Sequence, residues 1–243
     1  MSPKTSPPLS VIPAPGAIPG AAAGQSPPRR APSQRRALER VERILTVAAA
    51  LIEAEGSDAL RMSDVAERAE ISIGSLYQYF PDKTALIGSL AERFNAYGYS
   101  CVERDLAEVR DLHGLREALG RSVDGYYVMF LELPAMREIW AGAQAAKTLR
   151  EIDIADIHGH ADLLGRVLLR FQPDLDRAHL ATVTLVLMQS LAATVRLAIA
   201  LDRAAGHAVI VAFKRILMRE IEAEFFGGGS SGEEPRWTSP NGS

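Results

Sequence analysis

From residue 41 onward, apolar side chains recur at helical spacing. Val41, Ile44, Leu45, Ala48, Leu51 and Ile52 share one face and Gly56 supplies a C-terminal cap, so the pattern predicts a first long helix. Ser63 is the expected N-cap of a short helix that turns Val65, Ala66 and Ala69 inward. Ser72 opens a second short helix, with Ile73, Leu76 and Phe80 expected on its core face. Pro81 stops it, because the residue before a proline is pushed out of α geometry. Asp82 then caps a long helix reaching to about residue 109. Two short helices across a tight turn, framed by long ones, have the sequence shape of a helix-turn-helix.

Residues 83–226 read as six helices, near 83–109, 114–131, 134–148, 151–171, 175–203 and 206–226, with breaks at Pro134, Pro173 and Gly206. No alternating β-branched run bounded by a two-residue turn is present, so the expected fold class is all-α. The expected organisation is a three-helix DNA-binding domain at 35–86 followed by a six-helix domain at 87–226. Residues 180–201 carry one charge, Arg196, over a length that could span a membrane. Thr182, Thr184, Gln189, Ser190 and Thr194 are scattered through the stretch, which instead reads as a helix buried on several sides. Its natural partner is the last helix, with Val209, Phe213, Ile216, Leu217 and Ile221.

Composition changes the picture at the two ends. Of 14 prolines, nine lie before residue 33, so residues 1–34 read as a disordered, Pro/Ala/Gly-rich basic arm, and the glycine-serine run from Gly227 reads as a flexible tail to Ser243. Pro13, Pro15 and Pro19 interrupt the apolar stretch an export signal would need, and the single cysteine, Cys101, cannot pair within the chain. A reducing, cytoplasmic setting is expected. The net charge of −3 hides a segregation: residues 1–38 hold five basic side chains and no acidic one, leaving −8 for the rest. Arg29, Arg30, Arg35, Arg36, Arg40 and Arg43 precede or open the first helix, a placement suited to an arm that tracks phosphates or enters a minor groove. The alternative for this cluster is solubilising charge.

Opposite the core stripe of the second short helix stand Gly74, Ser75 and Gln78, flanked by Tyr77 and Tyr79. The set is small, uncharged and rich in hydrogen-bonding groups. Ser and Gln address base edges, Gln as a bidentate partner of adenine, and Tyr hydroxyls reach phosphates. Lys83 sits in the first turn of the following helix, where it opposes the helix dipole unless an anion occupies that end.

These residues resemble a known family. Gly56, Ser63-Asp64-Val65-Ala66, the run Ile71-Ser72-Ile73-Gly74-Ser75-Leu76-Tyr77-Gln78-Tyr79-Phe80 and Asp82-Lys83-Thr84-Ala85-Leu86 look like the DNA-binding segment of the TetR/AcrR family, over residues 35 to 87. The resemblance implies that Tyr77 and Lys83 meet backbone phosphates and that Ser63, Ser75, Gln78 and Tyr79 lie at or near the groove. It also implies a ligand-binding and dimerisation domain in the remainder, with the last two helices and their copies forming a two-fold four-helix interface. One departure is Glu70, where the family usually has glycine between the two short helices.

Within the C-terminal half, Tyr126, Phe130, Trp140, Gln144, Met188 and Gln189 are candidate effector contacts, being bulky apolar groups with a few polar ones; an ordinary core is the alternative. His158 and His160 pair with Asp162 and Asp156 at i,i+4 spacing, which reads as solvated pairs rather than a metal site. No nucleophile–base motif or phosphate loop is present, so neither enzyme activity nor a cofactor is expected. The expected partners are a double-stranded, pseudo-palindromic DNA operator, a second copy of the chain and a small hydrophobic effector, with no membrane. Two alternatives stay open: a ligand-independent architectural or partner-recruiting DNA binder, and a helical carrier or enzyme using the C-terminal half.

Overall fold

A computed structural model describes residues 32–142 and 146–227, and among the described residues there are nine α-helices. They are α1 (Pro32–Glu55), α2 (Met62–Arg68), α3 (Ile73–Tyr79), α4 (Lys83–Ala107), α5 (Leu112–Glu132), α6 (Pro134–Gly142), α7 (Lys147–Phe171), α8 (Arg177–Ala200) and α9 (Arg203–Phe225). The expected arm lies outside the described residues up to residue 31, as do the tail from residue 228 and the candidate Gln144.

Short polar side chains set most of the helix starts. Ser72 accepts from the Ser75 amide at 3.1 Å, and Asp82 from Ala85 at 2.7 Å. Asp111, Asp176 and Asp202 cap α5, α8 and α9 in the same way, each satisfying amides that the helix cannot bond itself. Ser63 does not cap α2. That helix begins a residue earlier, behind Arg61, and the Ser63 hydroxyl donates to Asp64 Oδ1 at 2.9 Å inside its first turn.

Gly206 corrects a second expectation. It does not separate two helices: the break falls at Leu201 and Asp202, and Gly206 is buried in the first turn of α9. A Cβ placed there would lie 2.3 Å from the Ala198 carbonyl oxygen and 2.8 Å from the Tyr127 hydroxyl. Its role is to let α9 fold back across the end of α8.

Helices α1 to α3 and the start of α4 form the N-terminal head around Ile44, Leu45, Ile52, Val65 and Leu76. The rest of α4 packs with α5, α6 and α7, α8 packs on α7 and α5, and α9 lies along α8 and α5. The two halves share α4, which at 25 residues is about 37 Å long. Arg93, buried in α4, holds Glu42 of α1 at 2.7 Å, and Ser57 of the loop after α1 donates to the Glu138 carbonyl of α6 at 3.4 Å.

Candidate nucleic-acid interface and effector cavity

The turn between α2 and α3 is built on the αL position that closes α2. The Ile71 amide reaches back to the Ala66 carbonyl at 3.0 Å and the Glu70 amide to Glu67 at 3.1 Å, a Schellman arrangement with Glu70 at φ +56°. Glycine adopts that backbone freely, whereas a side chain costs about 1 kcal/mol. The Glu70 side chain is exposed. Glu70→Gly is therefore expected to raise the melting temperature by about 2–4 °C, from the usual scaling of stability with midpoint at this chain size. A thermal melt that falls or stays put would show that the turn carries no strain.

On α3, Leu76 and Phe80 are buried, Tyr77 is 49% exposed and Gly74 and Gln78 are exposed, while Ser75 and Tyr79 are half-buried. A side chain at Gly74 would meet nothing within 4 Å, so the helix start presents bare backbone outward. Ile73 departs from the expected core stripe, being 44% exposed. The Cα–Cβ bond of a helical residue tilts toward the N-terminus, so a first-turn side chain projects past the helix start instead of onto the neighbour beneath. Sequence periodicity assigned Ile73 to the core; its place directly after the N-cap was the signal that it faces out.

Lys83 turns back toward the first helix. Its ammonium donates to the Asp58 carbonyl at 2.9 Å and to Ser57 at 3.4 Å, tying the start of α4 to the loop after α1. Ser63 is exposed on α2. Arg35 and Arg36 are exposed on α1, with Arg35 at 3.5 Å from Glu39 in an i,i+4 pair. Together α2, the turn, α3 and the start of α4 carry Ser63, Ile73, Gly74, Gln78, Tyr77 and Lys83.

A cavity of about 350 Å³ opens between α4, α5, α7 and α8. Tyr126 and Met188 line it, as the sequence suggested. Phe130 and Trp140 do not: they continue from Tyr126 into the core as an edge-to-face series, with ring centroids 5.1 Å and then 6.4 Å apart. The Trp140 indole N–H donates to Asp153 Oδ1 at 3.1 Å. Gln189 is exposed on the outer side of α8, one residue and about 100° round the helix from Met188. The cavity wall also includes Asp156 and His160 of α7, whose i,i+4 spacing alone reads as a solvated pair. Burial, with the Asp153 charge adding to it and His160 opposing it, pushes the Asp156 carboxyl up to about 6. Burial, reinforced by the Asp156 and Asp153 charges, also raises the Tyr126 phenol and keeps it protonated.

Among the described residues, α8 is the one helix long and apolar enough to cross a membrane. In the fold it packs against α5, α7 and α9. Val186 and Leu197 of α8, Leu201 of the turn, and Val211 and Ile216 of α9 remain 37–58% exposed, an apolar concentration that the head and α7 do not match.

An all-helical chain with a helix-turn-helix head and a helical second half sharing one long helix has the architecture of a DNA-binding transcription regulator. Comparison with known proteins gives the family. Residues 44–90 match the description "Bacterial regulatory proteins, tetR family", and residues 113–225 match "Tetracyclin repressor-like, C-terminal domain". The chain belongs to the TetR family of transcriptional regulators. It is 46% identical over 57 residues to the transcriptional repressor KstR of Rhodococcus jostii, covering 23% of this chain and 27% of that protein. To the repressor KstR of Mycobacterium tuberculosis it is 28% identical over 149 residues, covering 60% of this chain and 66% of the relative. The chain thus spans between about a quarter and two thirds of the length of these curated relatives. A TetR-family regulator from Streptomyces coelicolor superposes with a TM-score of 0.57 at 26% identity, over 77% of this chain and 98% of that one.

Proposed function

We propose that the chain is a homodimeric, cytoplasmic repressor that holds a pseudo-palindromic operator and leaves it when a small hydrophobic effector fills the cavity. The observation that carries this is the continuity of α4: its first turn, at Lys83, anchors the helix-turn-helix unit, and its middle, from Phe94 to Asp105, walls the cavity. An effector that binds one setting of α4 better than another shifts the spacing of the two heads, and operator affinity falls through that differential binding. Half-sites one helical turn apart require about 34–36 Å between recognition helices. The apolar outer sides of α8 and α9 suit a two-fold interface, and the KstR relatives are named as repressors.

Within the head, Ser75 and Gln78 read base edges, Ile73 meets a thymine methyl, and Ser63, Tyr77 and Tyr79 with the start of α4 position the helix on phosphates. Arg35 and Arg36 direct the preceding arm along the duplex. Gln78→Ala is expected to change which base pairs are preferred, and Lys83→Ala to weaken all sequences alike while lowering the salt slope by about one. Fluorescence anisotropy on promoter-region DNA at several salt concentrations measures both. An unchanged salt slope in Lys83→Ala would confine that lysine to its contact with the loop after α1.

The test of the whole reading is retardation of the chain's own promoter fragment, followed by release with a panel of hydrophobic compounds. Binding without release by any compound would favour the ligand-independent DNA binder. No binding at low salt would leave the cavity-based carrier or enzyme.

A further inference from the structure

Two neighbouring carboxylates of α7 differ in situation, Asp156 on the cavity wall and Asp153 outside its lining. Asp153 is provided for: Trp140 donates to its Oδ1 at 3.1 Å, and Arg196 of α8 stands 3.9 Å from its Oδ2. Asp156, one turn along α7, has His160 as its ion-pair partner at 3.5 Å. That same His160 Nδ1 lies closer, at 2.9 Å, to the Asp156 backbone carbonyl, so its proton goes mainly to the main chain. A carboxylate on the wall of an apolar cavity is left short of donors. The Ser122 hydroxyl, also on the wall and buried, has no hydrogen-bond partner. Phe94, Tyr97 and Tyr126 add aromatic surface, which attracts cations. Arg104, Arg121, Asp105 and Glu132 also line the cavity, two charges of each sign that cancel among themselves.

We propose that this cavity takes an organic cation: a compact apolar body carrying one ammonium or amidinium group, seated with its N–H donors on the Asp156 carboxylate and an aromatic face beside it. The proposal rests on the reading of the cavity as the effector site and names the class of effector. A neutral alcohol would satisfy Ser122 but leave the Asp156 charge unmatched beside Asp153. An anion would add a third negative charge to the pair. A cation removes the desolvation cost of Asp156 instead of adding to it.

Three probes with one apolar body separate the classes: aminoadamantane, adamantanol and adamantane carboxylate, titrated calorimetrically into the full-length protein at neutral pH. The amine is expected to bind at least about tenfold tighter than the alcohol, as a charge-assisted hydrogen bond in an apolar site allows, and the carboxylate to show no binding. Asp156→Asn should cost the amine about tenfold while moving the alcohol less than about twofold, and Asp156→Glu should restore the preference. The Asn variant removes a buried charge and is expected to fold, which a thermal melt checks. An alcohol that matches the amine, or a preference that survives in Asp156→Asn, overturns the cation class while leaving an effector cavity. If none of the three probes binds, the cavity reading falls and takes the proposal with it.

Discussion

Replacing Gly206 with alanine is expected to lower the melting temperature by about 5–10 °C, and valine by more. In an ordinary helix interior the alanine change would be favourable by about 1 kcal/mol, because glycine has the greater freedom to lose on folding. Here the added methyl would sit 2.3 Å from the Ala198 carbonyl oxygen and 2.8 Å from the Tyr127 hydroxyl. Tyr127 can rotate aside. Ala198 is backbone in the last turn of α8, and only a shift of α9 by nearly an ångström relieves that contact. Overpacking of this kind costs about 1–3 kcal/mol and more where backbone must move, which outweighs the propensity gain. At about 2–4 °C per kcal/mol for a chain of this size, the drop is readily seen by thermal denaturation. A variant with an unchanged or higher melting point would mean that α8 and α9 do not cross at this point. Because the crossing fixes the relative placement of the helices proposed to dimerise, Gly206→Ala should also weaken self-association, measured by sedimentation at micromolar concentration.

Gly206 also illustrates what a single sequence can and cannot reveal. Helix-breaking residues and apolar periodicity are local, and they placed most of the described helices to within about four residues, because Asp and Ser caps and the prolines act on the backbone next to them; α6 is the exception, ending at Gly142 where the pattern ran on to residue 148. A glycine has two uses, ending a helix or admitting a neighbour, and only the position of Ala198 tells them apart. The same limit governs the cavity. Tyr126 and Met188 face it while Phe130, Trp140 and Gln189 do not, since wall and core residues have the same composition and differ only in which side of a helix meets a void. Asp156 and His160 read locally as a solvated pair because i,i+4 spacing says nothing of what lies over them. At the head the reverse holds. The recognition helix has only seven residues, so few arrangements are open to it: Gly74 and Gln78 face out as read, Ser75 is half-buried, and Ile73 is exposed because its position at the helix start outweighs its hydrophobicity.

The largest effect on DNA binding is expected from a residue remote from DNA. Leu197, 54% exposed on α8, belongs to the apolar surface that also includes Val186, Leu201, Val211 and Ile216. Burying an aspartate there without a partner costs about 2–3 kcal/mol at the least, and in a two-fold interface the cost is incurred twice. Leu197→Asp should therefore weaken the dimer by roughly a thousandfold or more, making it monomeric at micromolar concentration by light scattering. The monomer itself should remain folded, since the substituted side chain is solvent-exposed within one subunit. Specific operator binding should then be lost almost entirely: a monomer reaches one half-site, and the head offers little electrostatic compensation. Residues 44–93 carry eight acidic against four basic side chains, so binding depends on a few placed contacts made twice rather than on a broad positive surface. Ile154→Asp supplies the control. Ile154 is equally exposed, at 54%, but on α7 among Arg150, Glu151 and His158, and its replacement should change neither the mass nor the operator affinity. Equal loss in both variants would point to general destabilisation. Loss in neither would move the dimer interface off α8, and with it the geometry by which a filled cavity is proposed to separate the reading heads.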